Sequence, residues 1–343
     1  MEEAIIIEKS VIIVAVFAIT MLFAMYCTLA ERKIAAWIQD RRGPNRAGPG
    51  GMLQPLADGL KLFAKEEFMP NTPNTFLFVL GPFISMTMAL MTSAVIPWGN
   101  TLEIAGRKVI LQAADINVAM LYVFAVLSVS VYGIMIGGWA SNNKYSLISA
   151  MRVASQMISY EVAMGLSIVA VLMMHSSMSL REIAAGQHEM HWNIFYQPLG
   201  FFIFPICSFA ETNRTPFDLA ECEQELIGGY HTEYSSMRMG FFLFAEYAAM
   251  FISSTLLAVL YLGAYNYPGM TWAAENWGEN IASIIGIAVL FIKICFFIFL
   301  YMWVRWTIPR FRYDQLMNLG WKTLIPLAIL NIVVTAVVLL LNR

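Results

Sequence analysis

The chain has 343 residues, of which 59% are hydrophobic and only 13% charged, with a formal net charge of -2. Soluble globular domains carry about a quarter charged residues, so the composition excludes a soluble fold and indicates an integral membrane protein. With no basic surplus and no basic patch interleaved with aromatics, nucleic acid is excluded as a partner.

Crossing a hydrocarbon core takes roughly 20 helical residues. Apolar runs of about that length fall near 10–30, 75–97, 116–139, 157–175, 195–210, 240–263, 281–304 and 322–341. The fifth is the shortest and is interrupted by Pro198 and Pro205. The expected fold class is all-α integral membrane, with about eight transmembrane helices plus amphipathic cytoplasmic helices in a single polytopic domain over 1–343. The start, MEEAIIIEKS, is acidic, and the run from Val11 to Leu29 has no small-residue cleavage site, so it is expected to stay as a helix. No internal repeat or linker is evident.

Loops near 31–74, 140–156, 211–239 and 305–322 hold seven, two, two and four of the 21 Lys and Arg residues. The opposite side holds Lys9, Arg107, Lys108, Arg181 and Arg343, while Lys293 falls inside a span. The positive-inside rule then makes the four large loops cytoplasmic and both termini periplasmic.

The first of these loops opens with Glu31 and Arg32 and continues through Arg41, Arg42 and Arg46 around a Gly-Pro turn. Beyond it Leu53, Leu56, Leu60 and Phe63 recur at helical spacing, with Gln54, Asp58, Lys61 and Lys65 on another stripe. The spacing predicts an amphipathic helix lying at the interface. On spacing alone the arginines are equally well read as positive-inside anchors.

The third loop, AETNRTPFDLAECEQELIGGYHTEY, is acidic where basic residues are the rule: Glu211, Asp218, Glu221, Glu223, Glu225 and Glu233 face Arg214 and Arg238. Thr215, Pro216 and Asp218 read as N-cap, first-turn proline and capping-box acid of a helix that Gly228-Gly229 ends. Carboxylates this crowded repel and favour shared protons; a solvated acidic face is the plain alternative. Glu161, Glu246 and Lys293 lie within apolar runs, where ionisable groups face a bundle interior or proton path unless they snorkel to the interface. Lys293 is the deepest and is expected to find a partner, with one of these carboxylates a candidate. Cys27, Cys207, Cys222 and Cys295 are widely spaced, so no iron–sulfur cluster, zinc or structural disulfide is expected.

Five motifs in order, from Glu31-Arg32-Lys33 to Gly43-Pro44-Asn45-Arg46, Leu53-Gln54-Pro55-Leu56-Ala57-Asp58-Gly59, Ser155 to Glu161, Glu211 to Asp218, and Arg305 to Arg310 with Tyr313-Asp314-Gln315, resemble the heel-subunit family of NADH:quinone oxidoreductase, respiratory complex I. The resemblance covers essentially the whole chain. Ser155 and Cys222 stand where a small residue such as alanine is more usual, and neither departure touches a charged position.

The resemblance implies tilted helices and cytoplasmic loops that close the membrane side of a ubiquinone or menaquinone chamber, with no redox cofactor in this chain. It implies that Arg32, Arg41, Arg46, Asp58, Leu56 and Phe63 line or frame the chamber entrance, with Phe217 and Asp218 higher, in the loop that meets the peripheral arm. Glu161, Glu211, Glu221, Glu223, Glu225 and Glu246 correspond to an acidic path toward a proton-pumping membrane arm. The implied partners are peripheral-arm subunits carrying FMN and iron–sulfur clusters, other membrane-arm subunits, quinone and lipids, in a bacterial inner membrane. Two other readings compete: the homologous subunit of an energy-converting hydrogenase, and a secondary transporter, to which intramembrane Glu and Lys are equally natural.

Overall fold

The computed structural model describes residues 2–70, 74–104, 106–220 and 226–341. Thirteen α-helices and one hairpin are found among them: α1 (Glu2–Ile38), α2 (Gln54–Ala64), α3 (Thr75–Thr92), β1 (Thr101–Ile104), β2 (Arg107–Ile110), α4 (Ala119–Ala140), α5 (Lys144–His175), α6 (Leu180–Ala185), α7 (Asn193–Tyr196), α8 (Pro198–Glu211), α9 (Ser236–Tyr261), α10 (Met270–Trp277), α11 (Glu279–Thr307), α12 (Tyr313–Asn318) and α13 (Ile325–Leu341). A π-helical turn, Leu319–Leu324, joins the last two.

Seven described segments are long and apolar enough to cross a bilayer: Ile6–Ile38, Thr75–Val95, Ala119–Ala140, Lys144–His175, Ser236–Tyr261, Glu279–Thr307 and Tyr313–Leu341. The all-α membrane expectation holds. The fifth of the eight expected spans is α8, only 14 residues, or about 21 Å of helix at 1.5 Å per residue, against a core of about 30 Å. Helix runs into two of the expected loops. Glu31, Arg32 and Lys33 lie in the last turns of α1, and 144–156 is the first third of α5, whose N-cap Asn143 accepts from the Tyr145 amide at 2.9 Å. Helix runs past the apolar stretch in both places because polar residues at a helix end are satisfied in interfacial water and do not stop it.

The centre of the bundle is α9, buried on every side from Met250 to Tyr261, as expected for a helix that is apolar all round. Glycines allow a close contact between α3 and α4. A Cβ at Gly81 would meet the Gly137 Cα at 2.9 Å, and one at Gly133 would meet the Gly81 carbonyl at 2.9 Å. Gly133 and Gly137 are four apart, the small-residue pattern that lets membrane helices approach.

Pro82 within α3 cannot donate to the Phe78 carbonyl four residues earlier, and in hydrocarbon that carbonyl needs a donor. Tyr234 supplies it at 3.0 Å, with a second contact to the Gly137 carbonyl at 3.3 Å. Burial pushes the Tyr234 phenol above its ordinary value, so it stays a neutral donor.

The hairpin, which falls between the second and third expected spans, pairs Thr101 with Ile110 and Ile104 with Arg107. It docks on α11, where the Glu103 amide donates to Asn280 Oδ1 at 2.7 Å and Asn280 Nδ2 returns to the Glu103 carbonyl at 3.0 Å.

Gly133→Val places two methyls in the α3/α4 contact, and overpacking of this kind costs about 1–3 kcal/mol. The expected outcome is a lowered thermal midpoint of the detergent-solubilised protein; an unchanged midpoint would show that the contact is slack.

Candidate functional site

Three distant segments converge on Glu31 of α1, whose side chain is almost fully buried. Arg305 from α11 pairs with Oε1 at 2.6 Å, Arg214 from the 212–220 loop with Oε2 at 3.3 Å, and the Tyr247 hydroxyl of α9 donates to Oε2 at 2.9 Å. The Arg214 guanidinium lies 4.2 Å from the centre of the Tyr247 ring and reaches Glu246 Oε2 at 3.8 Å, while Tyr230 donates to Glu246 Oε1 at 3.1 Å. A buried carboxylate is tolerable only with its charge countered and its lone pairs bonded, and Glu31 has both.

Two cavities flank this network. One, of about 150 Å³, lies between α1, α2 and α9 and is lined by Arg32, Pro55, Asp58, Gly59, Leu62 and Tyr247, among others. Arg32 closes one wall by pairing with Asp58 at 2.7 Å, and Gln54 holds the other Asp58 oxygen at 3.0 Å. The second, of about 40 Å³, lies among α3, α4, α5, α8 and α9; Glu211, Glu246, Tyr230 and Asn213 are among its polar walls. Glu161 is bonded by the Ser128 hydroxyl and lies near enough to Glu211 for the two charges to repel. It stands midway along α5, and Glu246 is three turns into α9. Both are half-buried, and each holds a protein partner, Ser128 for Glu161 and Tyr230 for Glu246.

The 212–220 segment departs from the expected helix. Thr215–Pro216 is a cis peptide, and 212–220 is turn and irregular chain. Its backbone is held from outside: Gln156 donates to the Ala210 and Phe217 carbonyls at 2.7 and 2.8 Å, Ser149 to the Ala220 carbonyl at 2.8 Å, and the Phe311 amide to the Pro216 carbonyl at 3.0 Å. The Asp218 carboxylate pairs with Arg310 at 3.0 Å, and the helix it was expected to cap runs into residues outside those described. Phe217 is buried against Phe311 and Tyr160, ring centres 5.5 Å apart in each case.

The other residues picked from the sequence divide. Leu56 and Phe63 are exposed on the outward stripe of α2, and Arg41 and Arg46 are exposed on the 39–53 loop, away from the buried network. Glu221, Glu223, Glu225 and Cys222 lie outside the described residues. Lys293 has no carboxylate partner among the described residues. Its ammonium donates to the carbonyls of Leu262, Ala264 and Asn266 at 2.6, 2.8 and 2.7 Å, with the Trp192 ring 5.0 Å away. The end of α9 offers orphan carbonyls close at hand, and each takes one of its three protons. The five motifs contain Glu31, Arg214 and Arg305 without marking them as one site, and they leave out Tyr230 and Tyr247; a lone acid at a span's end was the available signal for Glu31.

Fold and site together define a multi-pass α-helical membrane protein with a charge network sealed inside it. The chain belongs to the family described as NADH dehydrogenase, whose model it matches over residues 11–336. Relatives named as the H subunit of NADH-quinone oxidoreductase include that of Flavobacterium johnsoniae, 72% identical over 99% of this chain and 97% of its own length, and that of Flavobacterium psychrophilum, 73% identical over 100% of both. An H subunit of Cytophaga hutchinsonii, numbered 1 in that organism, is 60% identical over 97% of each.

Removing one partner of a buried pair leaves an uncompensated charge and costs about 3–5 kcal/mol. Arg214→Leu is expected to lower the thermal midpoint of the purified protein accordingly, and Glu31→Gln in the same chain to recover part of the loss.

Proposed function

We propose that this chain is the membrane subunit of a proton-pumping NADH:quinone oxidoreductase that forms the membrane side of the quinone chamber and couples quinone reduction to proton translocation. The observation that carries the proposal is the bonded bridge between the two cavities: Tyr247 lines the first, bonds Glu31, and Arg214 links Glu31 to Glu246 on the wall of the second. A quinone gaining two electrons takes up two protons and creates negative charge on the way. In a low-dielectric interior such a charge acts strongly on nearby arginines and carboxylates, so the bridge can pass a charge signal from one cavity to the other.

In this reading the isoprenoid tail slides in from lipid past the exposed stripe of Leu56, Leu60 and Phe63, with Arg32 and Asp58 at the mouth and Arg41 and Arg46 framing it. Phe217 and Asp218 brace the loop toward the peripheral arm. Glu161, Glu211 and Glu246, with Glu221, Glu223 and Glu225, form the acidic path. The chain acts as one domain over 1–343 and carries no redox cofactor; FMN and iron–sulfur clusters belong to partner subunits, the terminal cluster to the peripheral arm beside the quinone headgroup. It sits in a bacterial inner membrane with both termini periplasmic. The relatives' name supports the quinone branch over a hydrogenase, and the family supports both over a solute transporter.

The test uses the assembled, tagged complex. A contact of about 1.4 kcal/mol at the chamber mouth is worth about tenfold in rate, so Arg46→Ala is expected to lower inhibitor-sensitive NADH:quinone activity by that factor while NADH oxidation by an artificial acceptor is unchanged. Full quinone activity in Arg46→Ala would remove that residue from the chamber. A Cβ built at Gly59 meets nothing within 4 Å, so Gly59→Phe has room in the first cavity and should raise KM for a long-tailed quinone and spare a short-tailed one. An equal effect on both quinones would mean that the cavity is not the tail's route.

Glu161→Gln and Glu246→Gln each remove a titratable group from the acidic path and keep its shape. Fewer protons pumped per electron are expected from vesicles carrying either variant. Unchanged stoichiometry in both, with normal assembly, would end the relay role for these two residues.

A further inference from the structure

Helices α1 and α11 pack against one another as a parallel pair. Phe23 of α1 stacks on Phe291 of α11 with ring centres 5.3 Å apart, and further along both helices Glu31 meets Arg305 at 2.6 Å. The two contacts advance in the same chain direction on each helix, so a single register joins them. Four residues beyond each stacked ring stands a cysteine, Cys27 on α1 and Cys295 on α11.

In a parallel pair, residues four beyond a facing couple form the next facing couple, because 3.6 residues per turn brings them back to nearly the same face about 6 Å further along. Cys27 and Cys295 are therefore the layer that follows Phe23 and Phe291. The two thiols lie close enough for a charge on one to act on the other. Facing Cα atoms sit about 2.3 Å inside helix axes that are about 8–10 Å apart, which brings them into the range of about 4.4–6.8 Å that a disulfide spans.

The surroundings of the two sulfurs differ. Cys27 is only 4% exposed, against α9 and the Glu31 network, while Cys295 is exposed at the edge of the seam, on a helix surface that faces lipid. An oxidant dissolved in the membrane thus reaches Cys295 first and finds a second thiol behind it.

We propose that Cys27 and Cys295 are a modification site: a thiol pair that a lipid-soluble organic hydroperoxide closes to a reversible disulfide, stapling α1 to α11. Attack of the Cys295 sulfur on the O–O bond gives a sulfenic acid and releases the alcohol; the Cys27 sulfur then displaces the hydroxyl, which leaves as water. The two thiols lose two electrons and the hydroperoxide gains them, and both thiol protons end in the alcohol and the water. Only thiolate attacks, and few thiols ionise in apolar surroundings, so closure is slow and follows sustained oxidation. The staple lies one turn from Glu31, whose bond to Arg305 joins the same two helices, and it fixes the seam on which the charge network is built. The site rests on no quinone chemistry.

Trypsin separates the four cysteines into peptides 10–32, 182–214, 215–238 and 294–305, with one in each. The experiment treats the assembled complex in native membranes with cumene hydroperoxide, blocks free thiols with a maleimide in denaturant, digests without reductant and weighs the peptides. Peptides 10–32 and 294–305 are expected to appear joined, two hydrogens lighter than their sum, to separate on reduction, and to be unjoined in untreated membranes. Cys295→Ser, which alters one lipid-facing thiol, is expected to assemble and to lose the joined species. Recovery of 10–32 as a free thiol after both cumene hydroperoxide and copper-phenanthroline, with 294–305 either untouched or oxidised to sulfinic acid, would overturn the pair. Joining of 10–32 to 182–214 or 215–238 in place of 294–305 would overturn it as well.

Discussion

A single carboxylate, that of Glu31, decides how this bundle is put together on its basic side. Placed where water is excluded, it must be countered, and no neighbour in α1 can do so. It is met by Arg214, 183 positions away, by Tyr247, 216 positions away, and by Arg305. The first helix, the loop after α8, and helices α9 and α11 are therefore tied at one point. Buried ion pairs are weak evidence of net stability, since desolvation offsets much of the attraction. What they fix is which segments meet and in what register.

The opposite side of the bundle is fixed by different chemistry. There Lys293 closes the end of α9 through three carbonyls, and amide side chains do the rest. Asn266 donates to the Ala184 carbonyl at 2.6 Å, and Gln187 to the Val259 carbonyl at 2.9 Å. Breaks in helical bonding are repaired from neighbouring helices in the same way, by Tyr234 at Phe78 and by Tyr160, which donates to the Leu316 carbonyl at 2.9 Å beside the π-turn. In hydrocarbon a broken helix persists only where another element supplies the missing partner.

This division of labour suits a coupling subunit. The charged side can feel an electrostatic event, because its groups are close, sparsely solvated and linked in series from Tyr247 to Glu246. The neutral side holds α5, α8, α9 and α13 in place while it does so. Between them, α8 is too short to cross alone, and it carries Glu211 at one end and Gln197, which donates to Thr335, at the other.

Much of this was legible in the sequence. The seven long spans, the amphipathic α2 with its leucine stripe, and the location of Glu161 and Glu246 within apolar runs all follow from local hydropathy and periodicity, and the five motifs pointed to the family. Helix ends were misjudged at 31–38 and 144–156 because hydropathy marks where lipid stops, while hydrogen bonding marks where helix stops. The chain from Thr215 to Ala220 looked helical because its caps were read locally; its carbonyls found Gln156, Ser149 and the Phe311 amide on distant elements, and Asp218 pairs with Arg310. Lys293 drew carbonyls in place of a carboxylate for the same reason. Sequence alone therefore determined the membrane class and the long spans, and it marked Glu161, Glu246 and Lys293 as ionisable groups within them. Only the tertiary structure decided which charges pair, because in a low-dielectric interior each group's partner is set by what lies within about 4 Å in space, and nothing in the chain's order says which residue, two hundred positions away, that will be.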